Sequence, residues 1–284
     1  MNVRKTLRKW NLRPDKALGQ NFLVDQTILE RIAEAAHLTS EDIVLEVGAG
    51  TGALTKRLAR DAGHVVALEL DQRLIPILEG ELSELQNVSV VQGDVLGLDP
   101  PALLQEASAE WRAPLVHYKV VANLPYYITS AILRHVLEAD RRPELMVLTV
   151  QREVAERIAA GPGDMSILAV SVQFYGDPEI LFRIKPGSFY PSPGVESAVL
   201  RVDVHPEPPL PREEIDAFFT VVRAGFSQRR KQLHNSLSTG LGERISKHEV
   251  AARLEEVGVD PRRRAQSLSV EEWIEVTREL TEAI

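Results

Sequence analysis

The stretch DIVLEVGAGTGALTKRLARD, residues 42–61, decides the fold. A short run of β-branched and leucine residues (42–47) stops at glycines 48, 50 and 52, and helical spacing resumes in ALTKRLARD. Strand, glycine loop and helix in that order open a βαβ unit. Gly48 and Gly50 let backbone come close to a ligand, and the helix start offers unpaired N–H groups to it. With Ala53 the string also satisfies G-x-G-x-x-G/A, so a dinucleotide-dependent dehydrogenase is one reading. Taken alone, the loop points to a nucleotide-like ligand or to a tight structural turn.

The same alternation runs on from residue 25 to 151. ILERIAEAA has helical spacing, with Asp25 or Thr27 as its cap. HVVALEL (64–70), VSVVQ (88–92), YKVVAN (118–123) and ELMVLTVQ (144–151) read as strands. Between them, RLIPILEGELSEL and SAILRHVLEA read as helices, Pro76 being tolerable only in a first turn. This predicts an α/β, Rossmann-like sheet, mostly parallel and covered on both faces. EILFRIK and SAVLRVDV, joined by PGSFYPSPGVE (186–196), read as an antiparallel hairpin added to it. HPEPPLP (205–211) reads as a linker. Beyond it only helical patterns remain, SQRRKQLHNSL among them, so a small all-helical domain is expected over 212–284.

Composition narrows the classes. The 284 residues include no cysteine, which removes disulfides and thiolate metal sites and fits a reducing cytoplasm. No apolar run approaches the ~18 residues of a membrane span, and the start lacks the apolar core of a secretory signal. Net charge is −8, yet residues 1–16 hold six Lys and Arg against Asp15 alone. A basic arm (1–24) on an acidic body suits a nucleic acid held at one face, or a solubilising tail.

Three strand ends carry candidate site residues. After the glycine loop, Glu69 ends the second strand, where a carboxylate can accept from both ribose hydroxyls. Asp94 follows the third, where it can accept from an adenine amine, a feature less expected of a dehydrogenase. Together they describe an adenosine cleft. Glu46 faces either the cleft or the loop amides.

The fourth strand ends in NLPYY (123–127). The exocyclic amine of a base is a poor nucleophile because its lone pair is delocalised into the ring. Acceptors around its N–H groups favour a pyramidal nitrogen aimed at an electrophile. Asn123 supplies a side-chain carbonyl, Pro125 holds the Leu124 carbonyl outward, and Tyr126 offers a ring for a flipped base. Tyr127 reads as core packing.

NLPY after EVGAGTG resembles the S-adenosylmethionine-dependent amino-methyltransferases. KALGQNFL (16–23), FYPSPGVESAVL (189–200) and FSQRRKQLHNSL (226–237) resemble the ribosomal RNA adenine N6,N6-dimethyltransferase family. The resemblance implies a class I methyltransferase fold, S-adenosylmethionine as cofactor and no metal. It also implies methylation of two adjacent adenosines in the 3′-terminal hairpin of small-subunit rRNA, within the immature 30S particle, by a monomer. It places Asn21 and Leu23 at the methionine side of the cofactor, Gly48 beneath it, Glu69 at the ribose, Asp94 at the adenine and Asn123 at the transferred methyl. It sets Phe189 against the target base opposite Tyr126, and gives Arg229, Arg230, Lys231, Arg262, Arg263 and Arg264 to RNA phosphates. Two positions depart from the family pattern: Gly194 stands where Lys is common, and His234 where Arg is common. Resistance methyltransferases of large-subunit rRNA share NLPY, but the other strings favour the small-subunit enzyme. A non-catalytic assembly or transcription factor on the same fold is the remaining alternative.

Overall fold

The computed structural model describes residues 3–108, 117–242 and 245–281. The strands among them are β1 (Phe22–Leu23), β2 (Ile43–Val47), β3 (His64–Glu69), β4 (Val88–Gln92), β5 (Tyr118–Asn123), β6 (Leu145–Gln151), β7 (Gly176–Ile184), β8 (Phe189–Tyr190) and β9 (Ser197–Val204). Seven of them form one sheet in the order β4-β3-β2-β5-β6-β9-β7. Strands β4 to β6 pair in parallel, and β9 runs antiparallel to β6. Every residue of β2 and β3 is buried, as a sheet covered on both faces requires.

The helices alternating with these strands are α1 (Val3–Lys9), α2 (Gln26–Ala35), α3 (Thr55–Asp61), α4 (Ile75–Leu82), α5 (Pro100–Ala107) and α6 (Thr129–Leu137). Asp25 caps α2 by accepting the Thr27 and Ile28 N–H groups at 3.0 and 3.3 Å. Pro76 falls in the first turn of α4, where its missing N–H costs nothing. The chain lays β2, β3 and β4 in one direction, then returns to place β5 and β6 on the other side of β2. The crevice therefore opens beyond the C-terminal ends of β2 and β5. Val47 is the register partner of Ala122, so the glycine loop and Asn123 leave the sheet side by side.

The expected basic arm differs. Its residues from Val3 on belong to the sheet-containing unit, and Val3, Thr6 and Leu7 are buried. Spacing of i, i+3, i+4 gives α1 an apolar face that its charge count hides. Arg4, Arg8 and Lys9 stay exposed on the other face, and the Arg4 guanidinium lies 5.2 Å from the Tyr190 ring centre. The loop 186–196 is also more than a hairpin connection. Its Phe189 and Tyr190 form β8, which pairs antiparallel with β1 in the register Leu23 with Phe189 and Phe22 with Tyr190.

Two compact units result, Met1–Ala155 with Asp177–Val204, and Glu156–Gly176 with His205–Ile284. The sequence placed 156–176 with the sheet. Instead α7 (Arg152–Ile158) runs into the helical unit, and α8 (Ile167–Gln173) belongs to it, as do α9 (Arg212–Phe226), α10 (Leu233–Gly240), α11 (Lys247–Glu256) and α12 (Val270–Thr281). Aromatic packing is the reason: Phe174, just after α8, stacks on Phe218 of α9 with ring centres 4.5 Å apart. Trp273 of α12 is fully buried where Gly225 leaves room, since a Cβ there would stand 2.3 Å from its ring. Residues 227–232 form a turn and not the helix that their pattern suggested. Among the described residues no helix is long and apolar enough to cross a membrane.

Candidate active site

The crevice is a cleft whose walls come from the glycine loop, the ends of β3, β4 and β5, and residues 18–22. Gly48 forms its floor. It has φ +74°, and a Cβ there would meet only the Asn123 carbonyl, at 3.8 Å, so the space above belongs to a ligand. Gly50, with φ +62°, is held differently: a Cβ would press on the Phe22 ring at 3.2 Å. The loop conformation is locked by Glu69, whose Oε2 accepts the Gly50 N–H at 2.8 Å while Oε1 accepts the Asp71 N–H at 2.8 Å. Each oxygen keeps a second acceptor position for a hydroxyl. Burial pushes the Glu69 carboxyl above the usual carboxylate range, and the amides of Asp71 and Gly50 pull it back. Asp94 is exposed on the cleft and spends Oδ1 on the Leu96 N–H, at 3.0 Å, capping a 3₁₀ turn. Its Oδ2 is the oxygen left for an amine.

Asn123 sits across the floor. Its Nδ2 donates to the Asn21 carbonyl at 3.0 Å. A carbonyl can only accept, so this bond settles which end of the amide is which, and Oδ1 is the end presented to the cleft. Leu124 is buried and donates its N–H to Thr149 of β6 at 3.1 Å, which fixes the chain as it turns into Pro125. The Tyr126 hydroxyl bonds Ser197 Oγ of β9 at 2.6 Å, and burial pushes its pKa up. Anchored at its tip, the Tyr126 ring borders the cleft and also a second hollow lined by Lys16, Gln151, Pro191 and Pro193. On the expectation that Tyr126 stacks on a base of an RNA substrate, Tyr126→Phe, which keeps the ring, should change the KM for RNA by less than about tenfold. Tyr126→Ala should raise it about 10- to 100-fold, the worth of one stacked base; steady-state kinetics on both variants checks this.

Several expected residues lie elsewhere. Phe189 is 1 % exposed and packs in the core with Phe22 and Leu23, so in this conformation it offers no face to a base. Pairing with β1 turns its side chain inward, and the neighbouring Tyr190 is the exposed member of that strand. Leu23 is buried too, bordering a smaller hollow under the glycine loop and not the main cleft; Phe22 borders both. Glu46 faces Thr55 at the start of α3. It is 2 % exposed in that smaller hollow, its Oε2 has no partner, and burial raises its pKa to about 8. Tyr127 is 60 % exposed at the cleft mouth, the reverse of core packing, because strand alternation ends at Asn123. Sequence reading also missed Gln20, which lines the main cleft and the hollow beside Tyr126; its signal was its place within KALGQNFL.

The two basic triplets, 31 positions or more apart in the chain, meet in the helical unit. The Leu233 N–H donates to the Arg263 carbonyl at 2.7 Å and the His234 N–H to the Pro261 carbonyl at 3.2 Å. His234 Nδ1 also lies 2.6 Å from the Pro261 oxygen, so the residue at this departure from the family pattern splices the two turns. Arg229, Arg230, Lys231, Arg262 and Arg264 are exposed. Arg263 is not available in the same way: its guanidinium forks onto Glu272 at the start of α12 and also takes Ser267. That pairing lowers the Glu272 pKa. Gly194 has open space around it.

Comparison with known proteins adds the lineage. A family model described as ribosomal RNA adenine dimethylase matches residues 11–282. The ribosomal RNA small subunit methyltransferase A of Dehalococcoides mccartyi is 44 % identical over 272 residues, 95 % of this chain and 90 % of that one. Its namesake from Alkaliphilus metalliredigens is 42 % identical over 276 residues, 96 % and 94 % of the two chains. Among solved structures, the 23S rRNA methyltransferase ErmE aligns with a TM-score of 0.72 at 30 % identity, over 92 % of this chain and 100 % of that one. A dimethyladenosine transferase from Plasmodium falciparum aligns with a TM-score of 0.78 at 24 % identity, over 92 % and 98 %, a likeness of fold. The match runs through both units and takes in the glycine loop and NLPY alike, and the chain belongs to the ribosomal RNA adenine dimethylase family.

Proposed function

We propose that this enzyme transfers methyl groups from S-adenosylmethionine to N6 of two adjacent adenosines in the 3′-terminal hairpin of small-subunit (16S) rRNA, giving N6,N6-dimethyladenosine during ribosome biogenesis. The observation that carries the reading is the Asn123 amide, oriented by the Asn21 carbonyl so that an acceptor faces the cleft beside the glycine loop. The cleft fits the cofactor: Gly48 leaves its floor open, Glu69 keeps acceptor positions for ribose hydroxyls, and Asp94 keeps Oδ2 for the adenine amine. When bound, S-adenosylmethionine supplies a methyl group on a sulfonium, an electrophile that needs no metal.

The residues of the chain do the positioning. Asn123 Oδ1 and the Leu124 carbonyl accept from the two N–H bonds of the target amine in the first transfer, and one of them from the single remaining N–H in the second, and turn its lone pair toward the methyl. Those same dipoles favour the positive charge that grows on nitrogen in the transfer. Tyr126 holds the base by stacking, and the hollow beside it, walled by Pro191 and Pro193, gives that base room. Rate comes from alignment and from dipoles set in advance. RNA phosphates are met by the exposed Arg229, Arg230, Lys231, Arg262 and Arg264, so binding weakens with salt in proportion to the phosphates contacted. Action on an immature 30S particle, as a monomer in the cytoplasm, completes the proposal.

Small-subunit specificity is favoured over the large-subunit alternative because the relatives above 40 % identity carry the small-subunit name, while the 23S enzyme stands at 30 %. Incubation of immature small and large subunits with protein and isotopically labelled cofactor, followed by nucleoside mass spectrometry, tests it. Labelled N6,N6-dimethyladenosine in small-subunit rRNA is the expected result. Label confined to large-subunit rRNA moves the enzyme to the resistance type. Particle binding with no label makes it a binding factor.

A further inference from the structure

Residues 18–22 form one wall of the cleft, and a chain of polar contacts holds the turn that leads into them. Gln20 Nε2 donates to Asp71 Oδ2 at 2.7 Å, across 51 positions of sequence. On its other atom, Gln20 Oε1 accepts the Asp15 N–H at 2.8 Å, which closes the turn 15–20 on itself. Asp71 is buried although it carries a charge. Arg73 forks onto it, with Nε at 2.8 Å from Oδ1 and a terminal nitrogen at 2.6 Å from Oδ2, and the same nitrogen reaches Asp15 Oδ2 at 3.5 Å. The Asp71 N–H meanwhile donates to Glu69. One buried carboxylate thus joins the acid at the ribose end of the cleft to the segment that carries Asn21 and Phe22.

Neither Gln20 nor Asp71 is needed for the sheet: both lie after or before the strands they serve. What they hold is specific. Asn21, next to Gln20, provides the carbonyl that orients Asn123, and Phe22 packs over Gly50. On the opposite rim, the Tyr127 ring lies over Gly19, where φ is +63° and a Cβ would stand 3.2 Å from the ring. The segment is closed down on both sides of the cleft.

We propose that Gln20 and Asp71 are positioning residues forming a clasp that retains the cofactor, and that its opening sets how fast spent cofactor is exchanged between successive methylations of one adenine. The inference rests on the function proposed above, because dimethylation of one nitrogen consumes a fresh cofactor in each of two rounds. The clasp acts through the wall it holds and touches no reacting atom.

Dissociation of S-adenosylhomocysteine, followed by stopped flow on the full chain, tests this without any turnover. Gln20→Ala should release it about tenfold faster and raise the KM for S-adenosylmethionine by a similar factor, the worth of one hydrogen bond to a charged group, with a smaller change in kcat. Gln20→Glu should be worse, since two carboxylates then face each other. Asp71→Asn added to Gln20→Glu rebuilds the contact with its polarity reversed and should return release to within about threefold of the unaltered protein. A general loss of structure would not be mended by a second substitution. The clasp is overturned if Gln20→Ala and Gln20→Glu release S-adenosylhomocysteine at the original rate, or if Asp71→Asn fails to rescue Gln20→Glu. Should the unaltered protein bind no S-adenosylhomocysteine in calorimetry, the proposed function falls, and the clasp with it; binding with unchanged release in the variants removes the clasp alone.

Discussion

Asn123→Ala is expected to reduce single-turnover methyl transfer about 10²–10³-fold, the usual cost of deleting one oriented transition-state hydrogen bond. Cofactor binding should change far less, because the glycine loop, Glu69 and Asp94 are untouched. The substitution also leaves the Asn21 carbonyl without the donor it has at 3.0 Å, so a stability loss of about 1 kcal/mol should accompany it. Asn123→Asp separates the two contributions. It keeps an acceptor toward the base but sets a carboxylate against the Asn21 carbonyl, so its rate should fall between those of the original and Ala. Single-turnover rates with calorimetric binding of S-adenosylhomocysteine read both effects. A rate for Asn123→Ala within about threefold of the original would remove Asn123 from the chemistry.

Glu46 governs the second large effect, on stability. Burial raises its pKa from 4.5 to about 8; Thr55 at the start of α3 acts against this, and nearby Glu69 adds to it. The folded protein therefore holds Glu46 as the neutral acid at pH 7, while the unfolded chain ionises it. The sign follows from linkage. With the folded pKa above the unfolded one, the stabilising contribution is complete below pH 4.5. It declines as pH rises, and it is gone above about 8. Within that window the slope is about 1.4 kcal/mol per pH unit for one group. Glu46→Gln, of the same shape and unable to ionise, should flatten this part of the profile and make the protein more stable than the original at pH 8. Denaturant unfolding of both proteins between pH 5 and 9 is the measurement. Equal slopes would show that Glu46 stays ionised in the fold.

Much of this was legible before any tertiary structure. Periods of two and of 3.6 residues located the strands from Ile43 to Gln151 and the helices α3, α4 and α6 between them, though not α5, because burial of one face is written into neighbouring residues. Glycines 48, 50 and 52 marked a loop where backbone can come close to a ligand, and all three have positive φ. Of the two cap candidates that type and place offered, Asp25 and Thr27, the cap is Asp25. At these positions the cause lies within a few residues of the effect.

Elsewhere the local signal misled. Tyr127 follows a buried strand yet stands exposed, since the chain turns at Pro125 and the alternation stops. The triplet Arg262-Arg263-Arg264 has uniform charge, yet Arg263 is withdrawn by Glu272, nine positions on. Charge in α1 concealed an apolar face, and Phe189, which the family resemblance set against a base, is drawn into the core by pairing with Leu23.

By itself, then, the sequence determined the kind and order of the sheet strands from Ile43 to Gln151, the glycine loop and the candidate groups for binding an adenosine and holding an amine. The tertiary structure decided which of those groups meet. Strand order sets β2 beside β5, bringing the Gly48 floor to Asn123, and it carries the Asn21 carbonyl to an amide 102 positions away. It likewise decided that Gln20 reaches Asp71 and that the two basic triplets are spliced through His234. The division has a physical basis. Backbone preference and one-sided burial act over a turn or two of chain, whereas an acceptor's direction depends on a donor that only sheet order and core packing bring within 3 Å.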